Sequence, residues 1–268
     1  MVRTEQHARA SGLGERAEER IAAELARGTS SHAGAWDGCR PRAGVGALSV
    51  DDSLTAVAHR AASAVDSVVT TIRSATAADR AGLADSLASA FAEDPLFNWM
   101  AGGVTGRAFE PKVRIVFDAF LKIDLERAEH LVFTDGDGIG VAVWKAPNKW
   151  KMSSGDMLRA FPAMLRAFGT KAPRMIGAFN AIEKVHPKEE HYYLEALGTR
   201  QDMQSKGVGS AVIRHMLDRC DTEGVPAYLE SSNVRNVPFY ARHGFETTGE
   251  IVVGKGAPTV TAMWRAPR

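Results

Sequence analysis

Between Tyr192 and Arg265 the apolar period switches repeatedly between strand and helix spacing, and the order of those switches limits the fold more than any other feature. YYLEALGT (192–199) reads as a buried strand, residues 207–222 as a helix, and PAYLESS (226–232) as a second strand. NVPFYARH (236–243) follows as a short helix, then strands at 245–253 and 259–265. Upstream, LVFTD (131–135) and IGVAVWK (139–145) flank Gly136-Asp137-Gly138, a tight-turn sequence that needs positive φ and so marks a hairpin. Strand–helix–strand–helix after a hairpin implies an α/β domain with a mixed central sheet flanked by helices.

Earlier elements follow the same logic. TTIRSAT (70–76) alternates as a strand. Thr76 and Asp79 have capping-box spacing ahead of a helix with Leu83, Leu87, Ala90 and Phe91 on one face, which Pro95 stops. Residues 111–129 are striped by Val113, Val116, Phe117, Phe120 and Leu121, and residues 153–169 by Leu158, Phe161, Leu165 and Phe168. A polar connection, VHPKEEH, leads into the strand at 192.

Residues 1–69 differ from the domain at 70–268. They are rich in Ala, Arg, Ser and Gly, with breakers between two short helical pieces at Glu15–Ala26 and Leu54–Val69. Such composition buries too little apolar area to offset chain entropy, so a poorly ordered N-terminal extension is expected, or a translation start near Val69. Its first residues carry acids and no apolar core, unlike a secretory signal. Formal net charge is +1, which leaves no global field for nucleic acid or an acidic membrane. Two cysteines, Cys39 and Cys220, are too few for a disulfide framework. A cytoplasmic protein, monomer or homodimer, without membrane or nucleic-acid partners, is the expectation.

Chemistry enters at QSKGVGS (204–210), between strand and helix. A helix begins with unpaired amides at the positive end of its dipole, which makes an anion seat. Gly207 and Gly209 remove side chains from that seat, and Lys206 adds a nearby charge. The P-loop spacing is absent, and so is the third glycine of the dinucleotide fingerprint. A pyrophosphate-bearing ligand fits, against the plain alternative of a helix that starts with glycines.

The residues downstream sharpen this. Gln204-Ser205-Lys206-Gly207-Val208-Gly209 resembles the [QR]-x-x-G-x-[GA] acetyl-CoA loop of the GNAT superfamily of N-acetyltransferases, and Asn236 through Tyr240, Gly244 and Phe245 resemble its later N-x-x-x-x-Y-x-x-x-G-F-like element. TIRSATAADRAGLADSLASAFAEDP, GVAVWKAP and GVPAYLESSNVRNVPFYARHGFETTGEI are further similar to puromycin N-acetyltransferase and its relatives, over 71–266. The resemblance implies a GNAT-like sheet, with acetyl-CoA as donor and no metal. It implies that main chain at Leu197 and Thr199 pairs with the pantetheine arm, that amides from Ser205 through Ser210 take the pyrophosphate, and that Asn236 contacts the arm. Gln201 stands where many members carry Pro.

Acetyl transfer to an amine needs a neutral nucleophile, oxyanion support and a proton for the thiolate. A main-chain amide near Leu197 suits the second, and Tyr240 is the expected general acid, with packing against Phe239 and Phe245 as the alternative. Glu230 is slightly favoured as base over Glu195, which sits inside an apolar strand; each is otherwise a satisfied structural carboxylate, and relayed water is a third route. Asp94 either attracts a cationic amine or ends a helix in solvent. Trp99, Trp144, Trp150 and Phe161 are candidate acceptor walls, most of them better suited to core. His186, His191, His215 and His243 show no metal-ligand spacing. The expected function is acetylation of a primary amine of a small molecule, an antibiotic or metabolite, by direct attack in a ternary complex. The alternatives are an acetyl-CoA-binding regulatory module without turnover and a protein N-acetyltransferase, which needs an open groove in place of a cavity.

Overall fold

The computed structural model describes residues 71–268 apart from residues 128 and 130. The extension, with its two expected helices and Cys39, lies outside the described residues. The strands are β1 (Ile72–Ser74), β2 (Leu131–Asp135), β3 (Gly140–Lys145), β4 (Tyr192–Thr199), β5 (Ala227–Ser231), β6 (Glu246–Val252) and β7 (Thr259–Arg265). They form one sheet in the order β1-β2-β3-β4-β5-β7-β6. Every neighbouring pair is antiparallel except β4 with β5. That one parallel pair requires a crossover, and helix α6 (Val208–Glu223) supplies it.

Helices cover both faces. α1 (Arg80–Phe91), α2 (Pro95–Met100), α3 (Glu110–Leu125), α4 (Ser154–Phe168) and α5 (Ala172–Val185) share one core with the sheet, centred on Leu87, Val116, Phe117, Val143 and Met164. The crossover helix and α7 (Val237–Arg242) share a second core that includes Trp144, Leu194, Ile213, Met216 and Leu229. Burial on both faces explains why β2 and β3 read as apolar runs. Two glycines allow the helices to lie close: a Cβ at Gly140 would fall 2.5 Å from Val208 Cγ1, and one at Gly198 would fall 2.9 Å from Ala90 Cβ.

Two irregularities in β4 open the sheet. Val143 faces Ala196 while Trp144 faces Leu194, so Glu195 is the extra residue of a bulge. Pairing with β5 then stops after Leu194↔Leu229, whereas Glu230 and Ser231 stay paired with β7. From Glu195 to Thr199 one edge of β4 is therefore free.

Four local expectations need correction. Asp79 accepts from Thr76 N–H at 2.8 Å, but the Thr76 hydroxyl donates to the same carboxylate instead of capping the helix, because Asp79 is also held by Arg73. Pro95 does not stop α1; it occupies the first turn of α2, where its missing N–H costs nothing. The α4 stripe holds only at Phe168. Leu158, Phe161 and Leu165 are exposed at 74%, 40% and 50%, while Ala160, Met164, Ala167 and Phe168 face inward. Ala160 and Ala167 let α4 approach the core between Met164 and Phe168, and the other three bulky residues are turned out. Helix α5, finally, went unread between Phe168 and the polar connection.

The chain end is tied down by Asp221, whose carboxylate takes two 2.7 Å bonds from the buried Arg265 guanidinium and one from Arg268 N–H. The Arg265 contact holds the Asp221 carboxyl below its usual range. A lowered folded value means stabilisation present above the ordinary carboxylate range and lost as pH falls through it. Asp221→Asn is expected to cost about 1–3 kcal/mol at pH 7, because it strands a buried guanidinium, and less at pH 3. Urea unfolding at the two pH values checks this.

Candidate active site

The split between β4 and β5 opens into a cavity of about 810 Å³, lined by Phe117 and Phe179 from one face of the sheet and by Phe239 and Tyr240 from the other. One part of its wall is the strand-to-helix loop. Ser205 and Gly207 have left-handed φ of 62° and 84°, which turn the chain sharply into α6. The first amide to find an acceptor inside the helix is Ala211, bonded to Gly207 C=O at 3.0 Å. The amides of Val208, Gly209 and Ser210 therefore point out of the helix end. A Cβ at Gly207 would meet nothing within 4 Å, whereas one at Gly209 would lie 3.1 Å from Thr199 Oγ1.

The structure brings Leu197, Thr199, Gln204, Ser205, Gly207, Val208, Gly209, Ser210 and Asn236 to this cavity. Lys206 is not among its lining residues; its Nζ lies 3.2 Å from Asp202 C=O, folded back along the loop. Gln204 Nε2 donates to Thr199 C=O at 3.1 Å, which staples the loop to β4 and occupies a carbonyl that the sequence reading had assigned to the donor arm. Arg235 and Arg242 also line the cavity and had gone unnoticed.

Tyr240 is packed, as the alternative reading of it had it, and it also reaches the cavity. Its ring packs edge-on against Phe239 and Phe245, and it lines the cavity. Burial, with the Asp94 carboxylate adding to it, pushes the phenol well above its usual value, so it stays protonated. Asp94 lies neither at the end of α1 nor in solvent. It is a buried N-cap of α2, accepting from Leu96 N–H at 3.0 Å and Phe97 N–H at 2.9 Å, with the Ser232 hydroxyl on its other oxygen. Burial raises its carboxyl.

Glu230 lies at the cavity wall, its side chain 3% exposed. His186 Nδ1 approaches Glu230 Oε1 at 3.1 Å. The Tyr193 and Tyr228 phenols face the same carboxylate, and burial followed by its charge raises both hydroxyls. Glu195, the competing acid, is a satisfied partner. It sits 2.8 Å from Lys145 Nζ, which also contacts Asp124. Burial and then Glu195 raise the Asp124 carboxyl against the pull of Lys145. The tasks of these buried charges are thus each other's compensation.

Of the four candidate acceptor walls only Trp150 lines the cavity, stacked on His186 with ring centroids 3.7 Å apart. Trp144 is buried in the α6 core and Phe161 faces solvent. Trp99 packs over Gly254, where a Cβ would fall 2.9 Å from its ring. Phe91, Phe97, Phe117, Phe120, Phe179 and Tyr193 add further aromatic walls. Among the described residues no group of three or more His, Cys, Asp and Glu is arranged to hold a metal ion, and no helix is long and apolar enough to cross a membrane.

This geometry has known counterparts. Residues 128–245 match the family model of the acetyltransferase (GNAT) family. An uncharacterized N-acetyltransferase of Schizosaccharomyces pombe is 26% identical over 171 residues, 60% of this chain and 68% of that protein. A crystal structure described as histone acetyltransferase HPA2 and related acetyltransferase, from Corynebacterium glutamicum, superposes with a TM-score of 0.54 at 27% identity, covering 74% of this chain and 96% of that one. A polyamine N-acetyltransferase of Drosophila melanogaster shares the fold alone, with a TM-score of 0.50 at 14% identity over 73% of this chain and 99% of that one. The protein is an acyltransferase enzyme. Within that class, its residues 128–245 are similar to the acetyltransferases of the GNAT family.

Proposed function

We propose that the enzyme transfers an acetyl group from acetyl-CoA to the primary amine of a small molecule, by direct attack in a ternary complex. The observation that carries this is one cavity that joins outward-pointing helix amides to a buried, protonated phenol and a buried carboxylate. The amides from Ser205 to Ser210 seat the pyrophosphate, supported by the dipole of α6. The free edge of β4 beyond Leu194 takes the pantetheine arm, and a main-chain amide near Leu197 supports the developing oxyanion. Asn236 contacts the arm. Acetyl-CoA supplies an electrophilic thioester carbonyl; Glu230 takes a proton from the amine and Tyr240 gives one to sulfur.

The acceptor side favours a cationic amine with an aromatic or apolar body. Phe117, Phe120, Trp150 and Phe179 offer faces for such a body, and Glu230 puts a carboxylate into the same wall. An amine-bearing antibiotic or metabolite, the acceptor class suggested by the likeness to puromycin N-acetyltransferase, has this character. The test mixes the full-length protein with acetyl-CoA and a panel of alkyl, arylalkyl and polycationic amines and follows thiol release. Release with an arylalkyl amine is the expected result. Tight acetyl-CoA binding without release across the panel overturns the proposal in favour of a regulatory module.

A further inference from the structure

Transfer from an ammonium acceptor to a thioester makes a C–N bond, breaks a C–S bond and strips two protons from nitrogen. The departing thiolate accounts for one, through Tyr240. The other needs a destination, and Glu230 does not stand alone to receive it. His186 Nδ1 lies 3.1 Å from Glu230 Oε1, His186 Nε2 lies 3.0 Å from His191 Nε2, and His191 Nδ1 lies 2.6 Å from Glu189 C=O. Both imidazoles are buried.

The far end of this chain fixes its tautomers. A carbonyl only accepts, so His191 carries its hydrogen on Nδ1 and presents a bare Nε2 to His186. His186 must then carry a hydrogen on Nε2. What remains is its Nδ1, aimed at a carboxylate oxygen. Three contacts need three protons, yet a carboxylate and two neutral imidazoles bring only two. The contact left open lies between Glu230 and His186, at the cavity wall, and a proton from the amine closes it. Burial favours the neutral form of His191, which agrees with its role as a fixed acceptor.

We propose that Glu230 and His186 act as one proton acceptor for the amine, and that His191, pinned by the Glu189 carbonyl, is the positioning residue that makes His186 able to share the proton. The inference rests on the acetyl-transfer reading above. The groups around the pair are consistent with it. Tyr193 from β4 and Tyr228 from β5 face Glu230 as phenols. Glu195 is held by Lys145, and Glu183 on α5 by Lys151. Trp150 and Trp264 cover the two imidazoles with uncharged rings, and the Glu189 carboxylate adds its charge near His191.

The experiment measures kcat/KM against pH for the wild type, His186→Gln and His191→Gln, with an amine that gives thiol release, and records ¹⁵N spectra of the histidine-labelled wild type. Glutamine keeps the hydrogen bonds and cannot take the proton. The expected result is a plateau lowered about 10- to 100-fold in His186→Gln, with the acidic limb displaced by one pH unit or more. His191→Gln should displace the limb in the same direction with a smaller loss. The spectra should place hydrogen on Nδ1 of His191. Folded variants with the wild-type plateau and limb overturn the inference while leaving acetyl transfer intact, as does hydrogen on Nε2 of His191. A wild type that releases no thiol with any amine overturns the acetyl-transfer reading itself.

Discussion

Tyr240→Phe is expected to lower kcat by about 100- to 10,000-fold, the range for loss of a positioned general acid. The ring contacts with Phe239 and Phe245 survive the change, so the fold and its unfolding midpoint should hardly move. Acetyl-CoA affinity should also stay close to that of the wild type, because the phenol is assigned to the sulfur only as it departs. Burial and Asp94 raise the phenol above its usual value near 10. A raised value keeps the acid form at higher pH, so ionisation of Tyr240 should take nothing from the rate below pH 10. Steady-state rates with titration calorimetry of acetyl-CoA separate the two roles. A kcat within threefold of the wild type would leave Tyr240 as a packing residue.

That residue was readable from sequence because its signal is local: a tyrosine at fixed spacing from Asn236 and Gly244 around a short helix. The same holds for the glycine loop, for the hairpin and for the alternation of strand and helix from residue 192 onward. What went unread depends on contacts distant along the chain. His186 and Glu230 are 44 residues apart, and Asp124 and Lys145 are 21 apart, so no window of sequence shows either pair. Asp94 was misplaced because Pro95 has two meanings, ending one helix or opening another, and the tie-breaker is the Ser232 hydroxyl 138 residues later. The α4 face was misread except at Phe168 because periodicity counts apolar residues without regard to size. Close helix packing preferred Ala160 and Ala167 to Leu158 and Leu165. Glu195 looked functional for a sound reason, an acid in an apolar strand, but its place in a bulge of β4 and the lysine that pairs with it are both set by the neighbouring strand β3.

The two loop glycines should fail differently when each is replaced by valine. At Gly207 a new Cβ meets open space, so the added side chain enters the seat proposed for the pyrophosphate; the cost to the fold comes only from a left-handed φ of 84°, about 1–2 kcal/mol for a residue with a Cβ. Acetyl-CoA affinity should fall about 10- to 100-fold, the equivalent of losing one charge-assisted hydrogen bond of about 1.5–3 kcal/mol. Gly209 has the opposite character. Its Cβ would press on Thr199 Oγ1 at 3.1 Å and approach Phe239 at 3.8 Å, so Gly209→Val pushes the helix end away from β4 before any ligand arrives. Its unfolding midpoint should drop as far as its affinity does, with overpacking costing about 1–3 kcal/mol. Denaturation and calorimetry on both variants provide the check. Equal affinities for Gly207→Val and the wild type would mean that the anion does not sit on the amides of α6, because nothing else in the structure occupies that space.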